Sequence, residues 1–444
     1  MKSFLISLIL MLSINLCFAQ DTPQVNIEKK ILGNGLNIVV KPESGTGLVS
    51  IVALVKAGTA NETIQNSGIG VFVSRLLLAS TRQKSADDIA TIASQVGGNI
   101  NTERSEDFIT LKIVTTAEMF NTSVSLTAEI LSQANFEDKW VEVVRKQLID
   151  EYPKEDSDIF RRAYDKLRAM LYEDNGYSKP YLGSLSVIES LSINELKKYY
   201  KTFFVPNNIV ISVVGDITPS QVYDRFDKAF AGEILKPLPK VREVPYEELD
   251  RSKSNISEAN IGAAYMITGW LAPGVANKDY ATMVVLNNIL GQGKSSLLFT
   301  ELRQKAGIGY EVGTMYPRLV NQSHLCAVVI TDPYKQSIPG TLPEPILDIV
   351  RAKIIDVATM LKKSPVTDLQ LQRGKGYAIG TFALSHQHLI ERAYDLAWFE
   401  ASGLGYKLYT DFPQLIEKVT KADIQKAAVK YIDNYAVVVL VPKS

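Results

Sequence analysis

Few residues in this chain can do chemistry. It has three histidines in 444 residues, and two of them stand together as His386-Gln387-His388, with Glu391 close behind. Neutral imidazole and carboxylate both suit zinc, and His388 and Glu391 would be i, i+3 neighbours on a helix. The competing reading is a helix that begins after Ser385 with exposed histidines in its first turn. A second cluster, Gly291-Gln292-Gly293-Lys294-Ser295, ends like a phosphate-cradling loop. That loop needs a glycine where Asn288 stands, which argues against nucleotide binding. Cys326 lies in the apolar run Leu325–Ile330 and reads as a small core residue of a buried strand.

Composition narrows the field. Hydrophobic residues make up 46% and charged residues 22% of the chain, the balance of an ordinary globular protein. That balance excludes intrinsic disorder, collagen-like repeats and coiled coil. Lys+Arg and Asp+Glu are both 48. A nucleic-acid binder would carry a basic excess to meet phosphates, so none is expected as partner.

The first residues read as a targeting segment. Lys2 precedes the apolar stretch Phe4–Leu16, and Cys17-Phe18-Ala19 places small residues at the −3 and −1 positions of a cleavage site before Gln20. The stretch is shorter than the ~20 apolar residues of a spanning helix. We expect a signal peptide over 1–19, an exported product in the periplasm or outside the cell, and no stable membrane span after cleavage. Lipidation of Cys17 is the alternative. Cleavage would leave Cys326 as the sole cysteine, so no intramolecular disulfide is expected.

The elements that must position any site are written twice. Ser192 opens a helix that runs into the strand Ile209–Val214, and Thr420 opens a similar helix that runs into Val437–Val441. The offset from Ser192 to Thr420 equals that from Ile209 to Val437. Each half also begins alike. The strand Val49–Val55 precedes a helix over Gly68–Ser80, and the strand Ala263–Ile267 precedes a helix over Tyr280–Leu290. Gly97-Gly98 and Gly307-Ile308-Gly309 mark a turn before a strand in each half. Long helices are expected over 116–134 and 138–172, then over 345–362 and 366–402. Prolines and charges between Leu235 and Pro245 suit an extended linker. The fold class is α+β: two homologous domains, 24–234 and 256–444, joined by a linker over 235–255. Each would be a mostly antiparallel sheet packed with helices, and together they would form one half of a clamshell.

The segment Ile289–Tyr310 resembles the C-terminal-half signature of the pitrilysin/insulinase family of zinc metallopeptidases. There a glycine-rich turn and Ser-Ser open a helix ending in Leu-Arg, followed by Gly-Leu-x-Tyr. Leu32–Val40, with its Asn34-Gly35-Leu36, looks like the family's opening strand. Ala57–Glu62, Gly97–Asn101, Phe203–Asn208 and Val214-Gly215-Asp216 are similar to further family segments, so the likeness spans nearly the whole chain. It implies that Arg303 and Tyr310 bind the peptide substrate near the scissile bond. A guanidinium ending a helix and a phenol starting a strand can both donate to a peptide carbonyl or to the oxyanion forming on it. The structural alternative for Arg303 is to cap its own helix.

The catalytic segment departs from the family. Its peptidases carry His-x-x-Glu-His, two zinc ligands and a general base on one helix. Here that helix reads Gly68-Ile69-Gly70-Val71-Phe72-Val73-Ser74-Arg75. Val71 and Arg75 fall on the ligand positions and Ser74 on the base position, while Glu151 stands at the distant ligand position. Valine has no lone pair, arginine repels a cation, and serine is too weak a base. No metal is expected in this chain, and an Arg75–Glu151 charge pair is expected instead. The resemblance then implies a non-catalytic, substrate-binding subunit of an exported heterodimeric zinc metalloendopeptidase. Zinc would be on a homologous partner with the intact motif, and strand Asn99–Ile109 would be mainly architectural. The alternative is a stand-alone inactive homologue that binds peptides or acts as a scaffold.

Overall fold

The computed structural model describes residues 26–97, 99–173, 175–238, 247–335 and 344–443. The expected signal peptide and residues 239–246 of the expected linker lie outside them.

Two sheets repeat one topology. The first contains β1 (Glu28–Ile31), β2 (Asn37–Pro42), β3 (Leu48–Val55), β4 (Asn99–Arg104), β5 (Ile109–Thr116) and β6 (Ile209–Gly215), in the order β1-β2-β6-β3-β5-β4. The second contains β7 (Lys253–Ala259), β8 (Ala264–Ala272), β9 (Glu311–Met315) and β10 (Ser323–Thr331). A two-residue ladder of β11 (Tyr334–Lys335) and β12 (Glu344–Pro345) follows, and then β13 (Ala436–Pro442) completes the second sheet in the order β7-β13-β8-β10-β9. In each half the last strand inserts between one parallel and one antiparallel neighbour: β6 between β2 and β3, β13 between β7 and β8. The offset pairing Ile209 with Val437 in the sequence therefore pairs equivalent strands. The expected linker ends too late, because β7 already starts at Lys253 and pairs with β13.

The central strands are buried on both faces. β3 (LVSIVALV) and β8 (AYMITGWLA) are apolar runs without alternation, as fully covered strands are. The pleat divides their side chains between two cores. Ile51, Ala53 and Val55 pack with Val71 and Phe72 of the helix Ile69–Leu76. Val52 and Leu54 point the other way, into a core shared with Ala393, Leu396 and Ala397.

Those last three residues belong to the other half of the chain. The single helices expected over 138–172 and 366–402 are each two helices, Asp138–Ser157 with Ile159–Tyr172, and Asp368–Ser385 with Leu389–Ala401. In both cases the second piece crosses over. Leu389–Ala401 lies across β3 and β6, where the buried Ser212 hydroxyl donates to the Ala393 carbonyl. Ile159–Tyr172 lies across β8 and β13, with Leu167 and Leu171 in one core with Ile267 and Val438. Gly269 makes that approach possible, since a Cβ there would be 2.9 Å from the Leu167 Cδ2. The first break is one residue long and the second spans 386–388. Asp158 turns extended and its carboxylate accepts from the Arg161 N–H at 3.0 Å, and His388 is likewise extended.

Candidate functional site

The helix Ile69–Leu76 is shorter than the expected Gly68–Ser80, and its start is fixed from a distance. Gly68 takes φ +99°, a left-handed conformation suited to glycine. The buried Glu62 carboxylate accepts from the N–H groups of Gly68 and Gly70, at 2.7 and 3.0 Å. An acid at a helix N-terminus satisfies orphan donors and complements the dipole. Nothing in the Ala57–Glu62 segment of the sequence signals this role of Glu62.

The first turn and a half then presents the three altered positions. Val71 is buried in the core beneath the first sheet. The Ser74 hydroxyl donates back to the Val71 carbonyl at 2.8 Å, while the Ser74 carbonyl accepts from the Thr102 hydroxyl of β4 at 2.8 Å. Arg75 donates through Nη1 and Nη2 to the two oxygens of Glu151, at 2.6 and 2.7 Å. This fork-to-fork geometry is the strong form of the pair. It holds the Glu151 carboxyl below its usual range, chiefly by the hydrogen bonds from Arg75. The pair stands as expected, but it is not buried: the side chains retain 27% and 34% exposure. These residues do not fit zinc, because a guanidinium fills the space between a ligand position and the distant carboxylate. Among the described residues no three of His, Cys, Asp and Glu converge as a metal site.

Arg303 and Tyr310 come together differently. Phe299–Lys305 winds as a π-helix rather than an α-helix, and Arg303 stands exposed on it. Among the described residues its side chain has no hydrogen-bond partner, so it does not cap its own helix. Tyr310 precedes β9, and its N–H donates to the Ile330 carbonyl at 2.7 Å. This places Tyr310 beside Asp332, just past the end of β10, and its hydroxyl donates to that carboxylate. Tyr310 is 59% exposed. The Asp332 hydrogen bond raises the phenol pKa, and the charge of Arg303 lowers it, so the two groups share one local field. No sequence signal marked Asp332. The glycine-rich turn serves packing: a Cβ at Gly291 would sit 2.3 Å from Thr314 of β9.

His386 departs from expectation. His386 ends the helix Asp368–Ser385 and is largely buried, its ring packed on Phe382 and Tyr409. Its Nε2 lies 2.9 Å from Asp395, which also takes the Arg318 guanidinium at 2.8 Å. Burial would push the Asp395 carboxyl up, and the Arg318 charge together with the hydrogen bonds from His386 and Arg318 holds it below its ordinary range. His388 and Glu391 are exposed. His324 is buried against the Tyr172 hydroxyl at 2.7 Å, and burial pushes its pKa down to about 3. Cys326 is buried, as expected, with its thiol pushed up to about 12. No described helix is long and apolar enough to cross a membrane.

Residues 38–184 match the family described as insulinase (peptidase family M16), and residues 190–376 match the peptidase M16 inactive domain. The chain belongs to peptidase family M16. Its relatives include the zinc protease PqqE of Helicobacter pylori, 24% identical over 356 residues, covering 78% of this chain and 77% of that one. An uncharacterized zinc protease of Bacillus subtilis, YmxG, is 24% identical over 365 residues, covering 81% and 84%. The fold is that of a Helicobacter pylori protease (TM-score 0.84, 22% identity, covering 94% of this chain and 100% of that one). It is equally that of a peptidase M16 inactive domain from Pseudomonas fluorescens (TM-score 0.84, 16% identity, covering 95% and 98%).

Proposed function

We propose that this chain is the non-catalytic, substrate-binding subunit of an exported heterodimeric zinc metalloendopeptidase, acting in the periplasm or outside the cell. It would supply Arg303 and Tyr310 to a zinc site on a homologous partner. The carrying observation is the contrast between the two centres. Arg75 and Glu151 close on each other where the family binds metal, whereas Arg303 is unpaired and Tyr310 exposed. The Arg303 guanidinium can donate to a peptide carbonyl brought to it, and the Tyr310 hydroxyl can do so once it turns from Asp332. The first relatives' names as zinc proteases support the reaction class, and the M16 inactive-domain match supports the division of labour.

The test is co-purification with a homologous chain that carries an intact His-x-x-Glu-His motif, then peptidase assays on each chain and on the mixture. Activity in the mixture that neither chain gives alone supports the proposal. Failure to associate, or partner activity unchanged by this chain, supports the stand-alone scaffold instead.

A further inference from the structure

A second candidate site lies at the seam between the halves, away from Arg303 and Tyr310. It is a cavity of about 320 Å³, at the small end for small-molecule pockets. Its apolar wall is Phe108 from the β4–β5 hairpin, Phe203 from the end of the Ile193–Phe203 helix, and Leu238. Leu238 is 41% exposed, which puts an apolar side chain at the rim.

Three polar side chains line the mouth of the same cavity without protein partners among the described residues: Lys56 and Asn321, both exposed, and the half-buried Asn61. The acids around Lys56 are already engaged. Asp107 accepts from the Tyr177 hydroxyl on one oxygen and from the Val320 N–H on the other, at 3.0 Å. Glu400, the acid whose charge acts on Lys56, is held by Lys29 at 2.5 Å, by Asn37 at 2.8 Å and by the Tyr406 N–H at 3.1 Å. Lys56 is nonetheless fixed at its backbone. Its N–H donates to the Asn208 carbonyl at 3.2 Å, and its own carbonyl accepts from the Asn208 amide at 3.2 Å. Lys56 is exposed at the cavity mouth; partial burial of its ammonium lowers the pKa, and the charge of Glu400 opposes that shift.

An unpaired cation, two free amides and an aromatic wall in one preformed cavity select for a particular ligand. We propose that this seam cavity binds a small carboxylate with an apolar body, its carboxylate on Lys56 and the amides of Asn61 and Asn321, its body against Phe108 and Phe203. A free aliphatic or aromatic acid and the C-terminal residue of a short peptide share this chemistry. Because both halves build the walls, occupancy would also hold the halves together and raise thermal stability.

The experiment is calorimetric titration and thermal melting of the mature chain with N-acetylphenylalanine, N-acetylphenylalaninamide and octanoate. Saturable binding of an acid, with the amide and the Lys56→Met variant each weaker by about tenfold or more, is the expected result for loss of a charge-assisted contact. Octanoate binding assigns the site to free aliphatic acids, and N-acetylphenylalanine binding without octanoate assigns it to aromatic acids or peptide C-termini; either supports the proposal. No saturable binding of either acid, equal binding of acid and amide, or full binding by a folded Lys56→Met variant would overturn it. Should Lys56→Met fail to fold, the acid–amide comparison on the unaltered chain decides.

Discussion

Arg75 grips Glu151 through both terminal nitrogens, at 2.6 and 2.7 Å, where the sequence resemblance implies the metal position of the family's peptidases. One residue comes from the helix Ile69–Leu76 and the other from Asp138–Ser157, so the pair ties these two helices together. Partial exposure sets its worth. A buried pair would lose about 3–5 kcal/mol on removal of one member. At roughly one-third exposure the loss is expected to be about 1 kcal/mol or less. Urea denaturation of Glu151→Gln checks this, and a loss of several kcal/mol would contradict it.

The scaffold should still be able to hold zinc once ligands are returned. Val71→His, Ser74→Glu and Arg75→His together restore the inverted motif on a helix whose start is already fixed by Glu62. With Glu151 freed, the variant should bind about one zinc per chain, while the unaltered chain should hold none at this position. Metal analysis after dialysis reads the difference.

Arg303→Ala and Tyr310→Phe should leave this chain folded and able to associate, since both side chains lie outside the cores. Activity of the mixed complex should fall by about 10²–10³-fold if a donor to the developing oxyanion is lost. A loss confined to KM would mean that the contact is with ground-state peptide alone. Undiminished activity in both variants would defeat the subunit proposal.

Asp107 should give the stability a pH dependence in the acidic range. Burial raises its carboxyl to about 7, with the negative Glu106 adding to the rise and the hydrogen bonds from Tyr177 and Val320 opposing it. Between the ordinary carboxylate pKa and 7, the folded chain keeps a proton that the unfolded chain has lost. The Asp107 contribution therefore favours folding below the ordinary value's midpoint and weakens as pH rises towards 7. Asp107→Asn should flatten that part of the profile. Melting temperatures of both chains between pH 4 and pH 8 provide the test.

Gly269 should resist enlargement. A branched side chain there meets Leu167 and Leu171 of the crossing helix, and overpacking of this kind costs about 1–3 kcal/mol. Gly269→Val should lower the midpoint of chemical denaturation accordingly, and an unchanged midpoint would show that the helix moves freely on β8.

Much of this was legible in the chain. The repeat of helix and strand from Ser192 and from Thr420 set the two-sheet topology, because a capped helix followed by an apolar run is a local signal. The identities at 71, 74 and 75 settled the absence of a zinc motif, because ligand chemistry belongs to the residue type. Tertiary structure decided what depends on distant partners. The helix over 138–172 carries a continuous helical pattern and breaks at Asp158 as its second piece crosses to the opposite sheet, whereas a helix start after Ser385 was legible and only its crossing was not. That exchange also explains why β3 and β8 are apolar on both faces. His386 reads as a first-turn surface residue until Asp395 and Tyr409 enclose it. Asp332 reaches Tyr310 only because β9 and β10 pair, and Arg75 meets Glu151 because two helices far apart in sequence pack side by side. Local periodicity encodes the elements; which side chains meet follows from packing between elements, and no spacing along the chain records it.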